Sequence, residues 1–312
     1  MKQYLDILER VLNGTLKEPA RENMPRTISI TGASLKHDLS NGFPLLTTKE
    51  VSLKNIFNEL IWILSGDTNI KYLIDRGTNI WNQDAYRWYL KKCEYIDDII
   101  HLKDIKEFVD YIRSTPRSEF DVYGDEEYEI GDLGKVYGYQ WRNQMGWVDQ
   151  VQNTISGLKT NPSSRYHIID GWNPFEQSEM ALPPCHLLYH FITRPFGNSY
   201  KLDLVMYQRS VDTFLGFPYN LASMSLFNIL MAKIVGMEPG EITWVGGDVH
   251  IYENHLEQVK EQLGRKPKAL PVLNIKKQIN SFSDVLNMTY EDIELLNYEP
   301  APRIKAPLSV GL

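Results

Sequence analysis

Two segments decide the reading of this chain: Ala181-Leu-Pro-Pro-Cys185-His186, and Tyr207-Gln208-Arg209-Ser210-Val-Asp212-Thr-Phe-Leu215-Gly216-Phe-Pro-Tyr-Asn220. A lone cysteine in a globular protein is most often a small buried hydrophobe. Pro183 and Pro184 argue for more. They remove two amide donors and stiffen the approach, so Cys185 is expected outside any regular helix or central strand. His186 can supply or relay a proton. Arg209 comes close if the two strands between it and Cys185 pair, and a nearby cation lowers a thiol pKa from about 8.5. A possible nucleophile therefore stands beside a cation and groups able to read a polar ring. A Cys–His protease is the competing nucleophilic reading, but its usual context is absent from the sequence.

Asn220 presents a donor and an acceptor side by side, which can read one edge of a polar ring. An asparagine after Pro218 is otherwise an ordinary turn residue. Glu59 lies within the apolar face of Ile56, Leu60 and Ile63. Spacing alone favours a carboxylate at the edge of that stripe, exposed to water. The functional reading is a partly buried carboxylate of raised pKa that shuttles protons. Asp248, His250 and His255 follow D-x-H-x4-H, which is not a standard zinc spacing, so no metal is expected.

The chain of 312 residues is long enough to bury a sizeable core. A formal charge of −7 argues against general nucleic-acid binding. The first fourteen residues lack the apolar core of a signal peptide, and no apolar run spans a bilayer. Two cysteines in different contexts fit a reduced, cytoplasmic setting. Helices are expected over residues 4–12, 51–64, 70–75, 105–113, 148–158, 221–235 and 250–263, the 221–235 helix apolar nearly all round. Strands are expected over 27–39, 167–170, 187–193, 200–207 and 242–245. These elements mix without a βαβ rhythm, which favours an α+β fold. Gly246-Gly247 is weak evidence for a phosphate loop. The acidic residues between Glu119 and Glu129 read as a solvated surface excursion.

Quoted whole, these segments resemble the thymidylate synthase family. So do Phe43-Pro-Leu-Leu-Thr-Thr-Lys49, Glu59-Leu-Ile-Trp-Ile-Leu-Ser-Gly66, Ile80-Trp81, Val136-Tyr137-Gly-Tyr-Gln-Trp-Arg142, Trp172-Asn-Pro174, Gly246-Gly-Asp-Val-His250-Ile-Tyr252-Glu-Asn-His255 and Ile304-Lys-Ala-Pro307. The resemblance implies one domain over 1–312, with a large bent mixed β-sheet flanked by helices and a sheet face that forms a homodimer. Residues from about 90 to 130 are then a variable surface excursion. It implies dUMP as substrate and 5,10-methylenetetrahydrofolate as co-substrate, without metal. Cys185 is then the nucleophile that attacks C6 of the pyrimidine, and Glu59 organises proton transfer. Tyr137 and His186 belong to the polar network, and Asn220 reads the uracil edge. Arg209 and Ser210 hold the phosphate, with Gln208 beside them; His250 and Tyr252 bind the deoxyribose hydroxyl. Ile80, Trp81, Asp212, Leu215, Gly216 and Tyr219 face the folate, and the C-terminal tail closes over it.

The chain departs from the family pattern near its N-terminus, where the phosphate loop has lost its glycines and either Arg21 or Arg26 supplies the cation. The paired arginines that reach across from a partner subunit appear as Arg165-Tyr166. Two alternatives accompany this reading. One is a pyrimidine hydroxymethylase, in which water replaces hydride in the last step. The other is a catalytically inactive binding or RNA-regulating relative.

Overall fold

The computed structural model describes residues 1–19, 22, 24–124 and 127–307. In chain order its elements begin α1 (Lys2–Leu12), β1 (Thr15–Lys17), β2 (Thr27–Asp38), α2 (Leu53–Ser65), α3 (Lys71–Asp75), α4 (Asn82–Lys92), α5 (Ile105–Ser114), β3 (Val122–Tyr123), β4 (Tyr128–Glu129) and α6 (Tyr137–Asn143). They continue α7 (Gln150–Thr160), β5 (Ile168–Asp170), β6 (His186–Phe196), β7 (Ser199–Asp212), α8 (Gly216–Val235), β8 (Glu238–Tyr252), α9 (Leu256–Leu263), β9 (Val272–Ile275), α10 (Phe282–Leu286) and β10 (Ile293–Leu296). Two compact units result. Among the described residues, the first comprises 1–57, 150–170 and 185–307; the second comprises Asn58–Asp149 and Gly171–Pro184.

The first unit holds a six-stranded sheet in the order β1-β2-β8-β7-β6-β5. β7 and β8 run parallel, while the other pairs are antiparallel. The parallel step follows from α8, whose 20 residues carry the chain back between the two strands. Leu204 and Met206 of β7 and Ile242 and Trp244 of β8 are buried. α8 packs against these two strands and is apolar on nearly every side, as its composition requires. The mixed sheet with flanking helices is the α+β architecture expected.

The strands expected over 187–193, 200–207 and 242–245 extend further at both ends, and three readings around the site change. α8 starts at Gly216, not at 221. Pro218 is its third residue, where the missing N–H is one the helix would leave unpaired anyway. Asn220 is therefore a helical residue and not a turn. The amphipathic helix expected from 250 begins only at Leu256. His250 and Tyr252 instead pair with Ser29 and Thr27 of β2, because the alternation of Val249 and Ile251 extends the ladder. Gly246-Gly247 lies inside β8, so it forms no phosphate loop.

In the second unit the sequence reading passes over α4. Its buried positions are Asp84, Ala85, Trp88, Tyr89 and Lys92, and two charged side chains among them hide the helical period. α5 is capped by the Asp104 carboxylate, which accepts from Glu107 N–H at 2.8 Å, and it buries Phe108 and Ile112. Glu119, Asp121 and Glu127 are exposed, while Tyr123 and Tyr128 of the β3–β4 hairpin are buried.

Candidate active site

Cys185 stands just before β6, in the irregular stretch that follows Pro183 and Pro184. β6 and β7 pair antiparallel with His186 opposite Gln208. One residue further, Arg209 N–H donates to the Cys185 carbonyl at 2.9 Å. This backbone bond sets Arg209 opposite Cys185 at the end of the β6–β7 ladder. Both residues are half-buried, and neither Cys185 nor Cys93 forms a disulfide.

Burial of the His186 ring pushes its pKa down to about 4, against a smaller opposing effect of its hydrogen bond to Asn220. The ring is therefore neutral at pH 7, and its Nδ1 lies 3.1 Å from the Tyr189 hydroxyl. Asn220 Oδ1 accepts from Gln208 Nε2 at 3.0 Å. Asp212 closes β7 and shapes the turn into α8. Its Oδ1 accepts from the Phe214 and Leu215 N–H groups at 3.0 and 3.1 Å. Leu215 and Gly216 thereby open α8, with Tyr219 half-buried in its first turn.

The parallel register sets Ser210 beside Asp248 and Asp212 beside His250. The rings of His250 and Tyr252 meet edge-on at 5.1 Å. His250 Nδ1 lies 3.4 Å from Asp248 Oδ1, and Lys17 Nζ lies 2.9 Å from Asp248 Oδ2. The hydrogen bond to His250 and the ammonium of Lys17 hold the Asp248 carboxyl down at about 2 against partial burial. Arg26 is exposed and forks onto Glu253 through bonds of 3.0 and 2.7 Å. Arg21 lies outside the described residues. Arg165 is exposed just before the edge strand β5.

The second unit carries Glu59, Ile80, Trp81 and Tyr137. Trp81 Nε1 donates to Glu59 Oε1 at 2.8 Å. Burial pushes the Glu59 carboxyl up to about 7, with the indole hydrogen bond acting the other way. This corrects the expectation, from spacing alone, of a carboxylate in open water: the indole and the apolar face of α2 desolvate it. Trp81 lies 6.0 Å from Tyr137, edge to face, and Ile80 is half-buried beside it in sequence.

A family model described as thymidylate synthase matches residues 2–310. The chain belongs to the thymidylate synthase family. A protein named thymidylate synthase from Mycoplasma mobile is 46% identical over 310 residues, covering 99% of this chain and 100% of that protein. One of the same name from Mycoplasma pneumoniae is 42% identical over the same spans.

Some motifs that carried the family resemblance turn out to hold the fold. Asn173 and Gln140 both donate to Glu176 Oε2, at 2.7 and 2.8 Å, and Lys135 reaches Glu176 Oε1 at 2.9 Å. Arg142 chelates Asp149. Other members of the site escaped sequence reasoning. Tyr189 and Trp244 are two of them, each an aromatic indistinguishable by sequence from core. Lys49 is a third: it is buried, with its ammonium 3.6 Å above the Phe214 ring, and burial pushes its pKa down to about 7. Its signal was a lysine inside the apolar-flanked run from Phe43. Among the described residues no three His, Cys, Asp or Glu side chains group to hold a metal. No helix among them is long and apolar enough to cross a membrane.

Proposed function

We propose that the protein is a thymidylate synthase, a methyltransferase that converts dUMP to dTMP. The observation that carries the reading is the backbone hydrogen bond from Arg209 to Cys185 within a chain that the family model matches over residues 2–310. Cys185 attacks C6 of the pyrimidine, which turns C5 into an enolate carbon able to take up the one-carbon unit. 5,10-Methylenetetrahydrofolate supplies that unit and the hydride that completes the methyl group. Arg209 stabilises the thiolate and, with Ser210 beside it, binds the phosphate; Arg26 is the described candidate for a further cation. Asn220 reads the uracil edge, with His186 next to it in the polar network. His250 and Tyr252 hold the deoxyribose hydroxyl. Asp212, Leu215, Gly216 and Tyr219 face the folate, as do Ile80 and Trp81. Glu59 moves protons, helped by Tyr137; a carboxyl titrating near 7 suits that task. The tail beyond Pro307 closes over the folate, though it lies outside the described residues.

The protein acts as a homodimer in which Arg165 completes the partner's phosphate site. Supporting this, one face of the sheet is buried while the other leaves Ile168, Ile192 and Tyr207 exposed and Leu188, Val205 and Val245 half-buried. An apolar sheet face of that kind fits an isologous interface. The family model runs through both units, which supports one catalytic domain over 1–312. Two cysteines outside any disulfide fit a cytoplasmic setting. The test is incubation with dUMP and 5,10-methylenetetrahydrofolate, followed by mass spectrometry of the nucleotide. dTMP is expected; hydroxymethyl-dUMP or unchanged dUMP overturns the assignment.

A further inference from the structure

Gln208 is buried on β7 between one donor and two acceptors. The Trp244 indole N–H donates to its Oε1 at 3.0 Å, and its Nε2 donates to the Ser210 carbonyl at 3.1 Å and to Asn220 Oδ1 at 3.0 Å. An indole nitrogen only donates, and a peptide carbonyl only accepts. Reversing the Gln208 amide would therefore set donor against donor at Trp244 and acceptor against acceptor at Ser210. Gln208 is held in one orientation from both ends.

That orientation passes to Asn220. Because Gln208 offers it an N–H, the Asn220 oxygen must face Gln208, and the Asn220 NH2 points the other way. With its oxygen so directed, and hydrogen-bonded to the His186 ring as well, Asn220 presents its NH2 to a ring carbonyl and its Oδ1 edge to the adjacent ring N–H. This is the complement of the uracil edge. Cytosine needs the amide reversed, which would press the Asn220 NH2 onto the Gln208 NH2.

The indole itself is fixed by packing. Trp244 is fully buried and its ring centroid lies 4.0 Å from that of Phe217. At Gly246 a Cβ would stand 2.4 Å from two carbons of the indole six-membered ring. A side chain there has no room unless the indole moves, which gives a physical reason for glycine in the middle of β8.

We infer that Trp244, which lies behind Gln208 and Asn220, is a positioning residue that sets the preference for uracil over cytosine, by fixing the Gln208 amide and through it that of Asn220. The inference rests on the reading of Asn220 as the base-contacting residue. Trp244→Phe removes the N–H donor and keeps an aromatic ring. Gln208→Glu keeps an acceptor for the indole and offers Asn220 only an acceptor, which turns its NH2 inward.

The test measures kcat/KM for dUMP and dCMP in the wild type, Trp244→Phe, Gln208→Glu and Asn220→Asp, with folding checked by circular dichroism. Both Trp244→Phe and Gln208→Glu are expected to lower the dUMP to dCMP ratio by about tenfold or more. Loss of packing alone would depress both nucleotides alike and leave the ratio unmoved. An unchanged ratio in either folded variant, while Asn220→Asp shifts it, overturns the role of Trp244 and leaves the base-reading role of Asn220 standing. An unchanged ratio in Asn220→Asp, or a wild-type ratio near one, sinks the base-reading role and this inference with it. Should Trp244→Phe fail to fold, Gln208→Glu alone decides.

Discussion

The Trp81 indole donates to Glu59 at 2.8 Å, and the carboxyl it touches titrates near 7 because burial opposes its charge. The ordinary carboxyl value is 4.5. Between those values the folded protein binds more protons than the unfolded chain, so stability falls as pH rises through this window. Above about 7 the full cost of the buried charge remains. Glu59→Gln keeps an acceptor for the indole and removes that cost. The variant is expected to match the wild type near pH 4 and to exceed it by on the order of 1–2 kcal/mol near pH 8. Its turnover is expected to drop by about 10²-fold or more. Urea titrations at the two pH values measure the first effect; a stability difference that does not vary with pH rules out burial as the cause.

His186 has the opposite sign. Its pKa is depressed from 6.5 to about 4. Below 6.5 the unfolded chain takes up a proton that the native ring refuses, so stability is lost as pH falls from there toward 4. His186→Gln is expected to flatten this acid limb of the stability curve. Thermal melts across the interval measure it, and parallel limbs in the two proteins would place the acid lability elsewhere.

Cys185→Ser is expected to lower turnover by about three orders of magnitude or more, since a serine hydroxyl is far less ionised at neutral pH than a thiol. The Arg209–Cys185 backbone hydrogen bond does not involve the thiol, so the fold and dUMP binding are expected to survive the change. Calorimetric titration with dUMP and a steady-state assay separate the two effects. Near-normal turnover in the serine variant would end the covalent mechanism.

Arg165 is exposed beside the edge strand, and the open sheet face carries Ile192 and Tyr207. Tyr207→Glu is expected to weaken self-association, and Arg165→Ala to raise the KM for dUMP by about tenfold while leaving association intact. Sedimentation and steady-state kinetics check the pair. A fully active wild-type monomer at micromolar concentration would remove the dimer from the scheme.

Local chemistry was legible without coordinates wherever it depends on neighbours along the chain. The prolines before Cys185 predicted an irregular backbone there, and the apolar composition of residues 221–235 predicted a buried helix; both are found. The strands now labelled β5, β6 and β7 followed from their alternation, and the chain order argued for α+β. Only tertiary structure decided what depends on residues distant in sequence. Glu59 is half-buried against Trp81, 22 positions away, and no local period reports on that contact. Gln208 meets Trp244 across 36 residues because β7 and β8 run parallel, a pairing that α8 creates. His250 and Tyr252 belong to a strand because β2 lies beside them to complete the ladder. The physical reason is the same in each case. A side chain's identity sets which hydrogen bonds and charges it can offer, while desolvation and partner geometry, which set its pKa and orientation, arise from segments that only folding brings alongside.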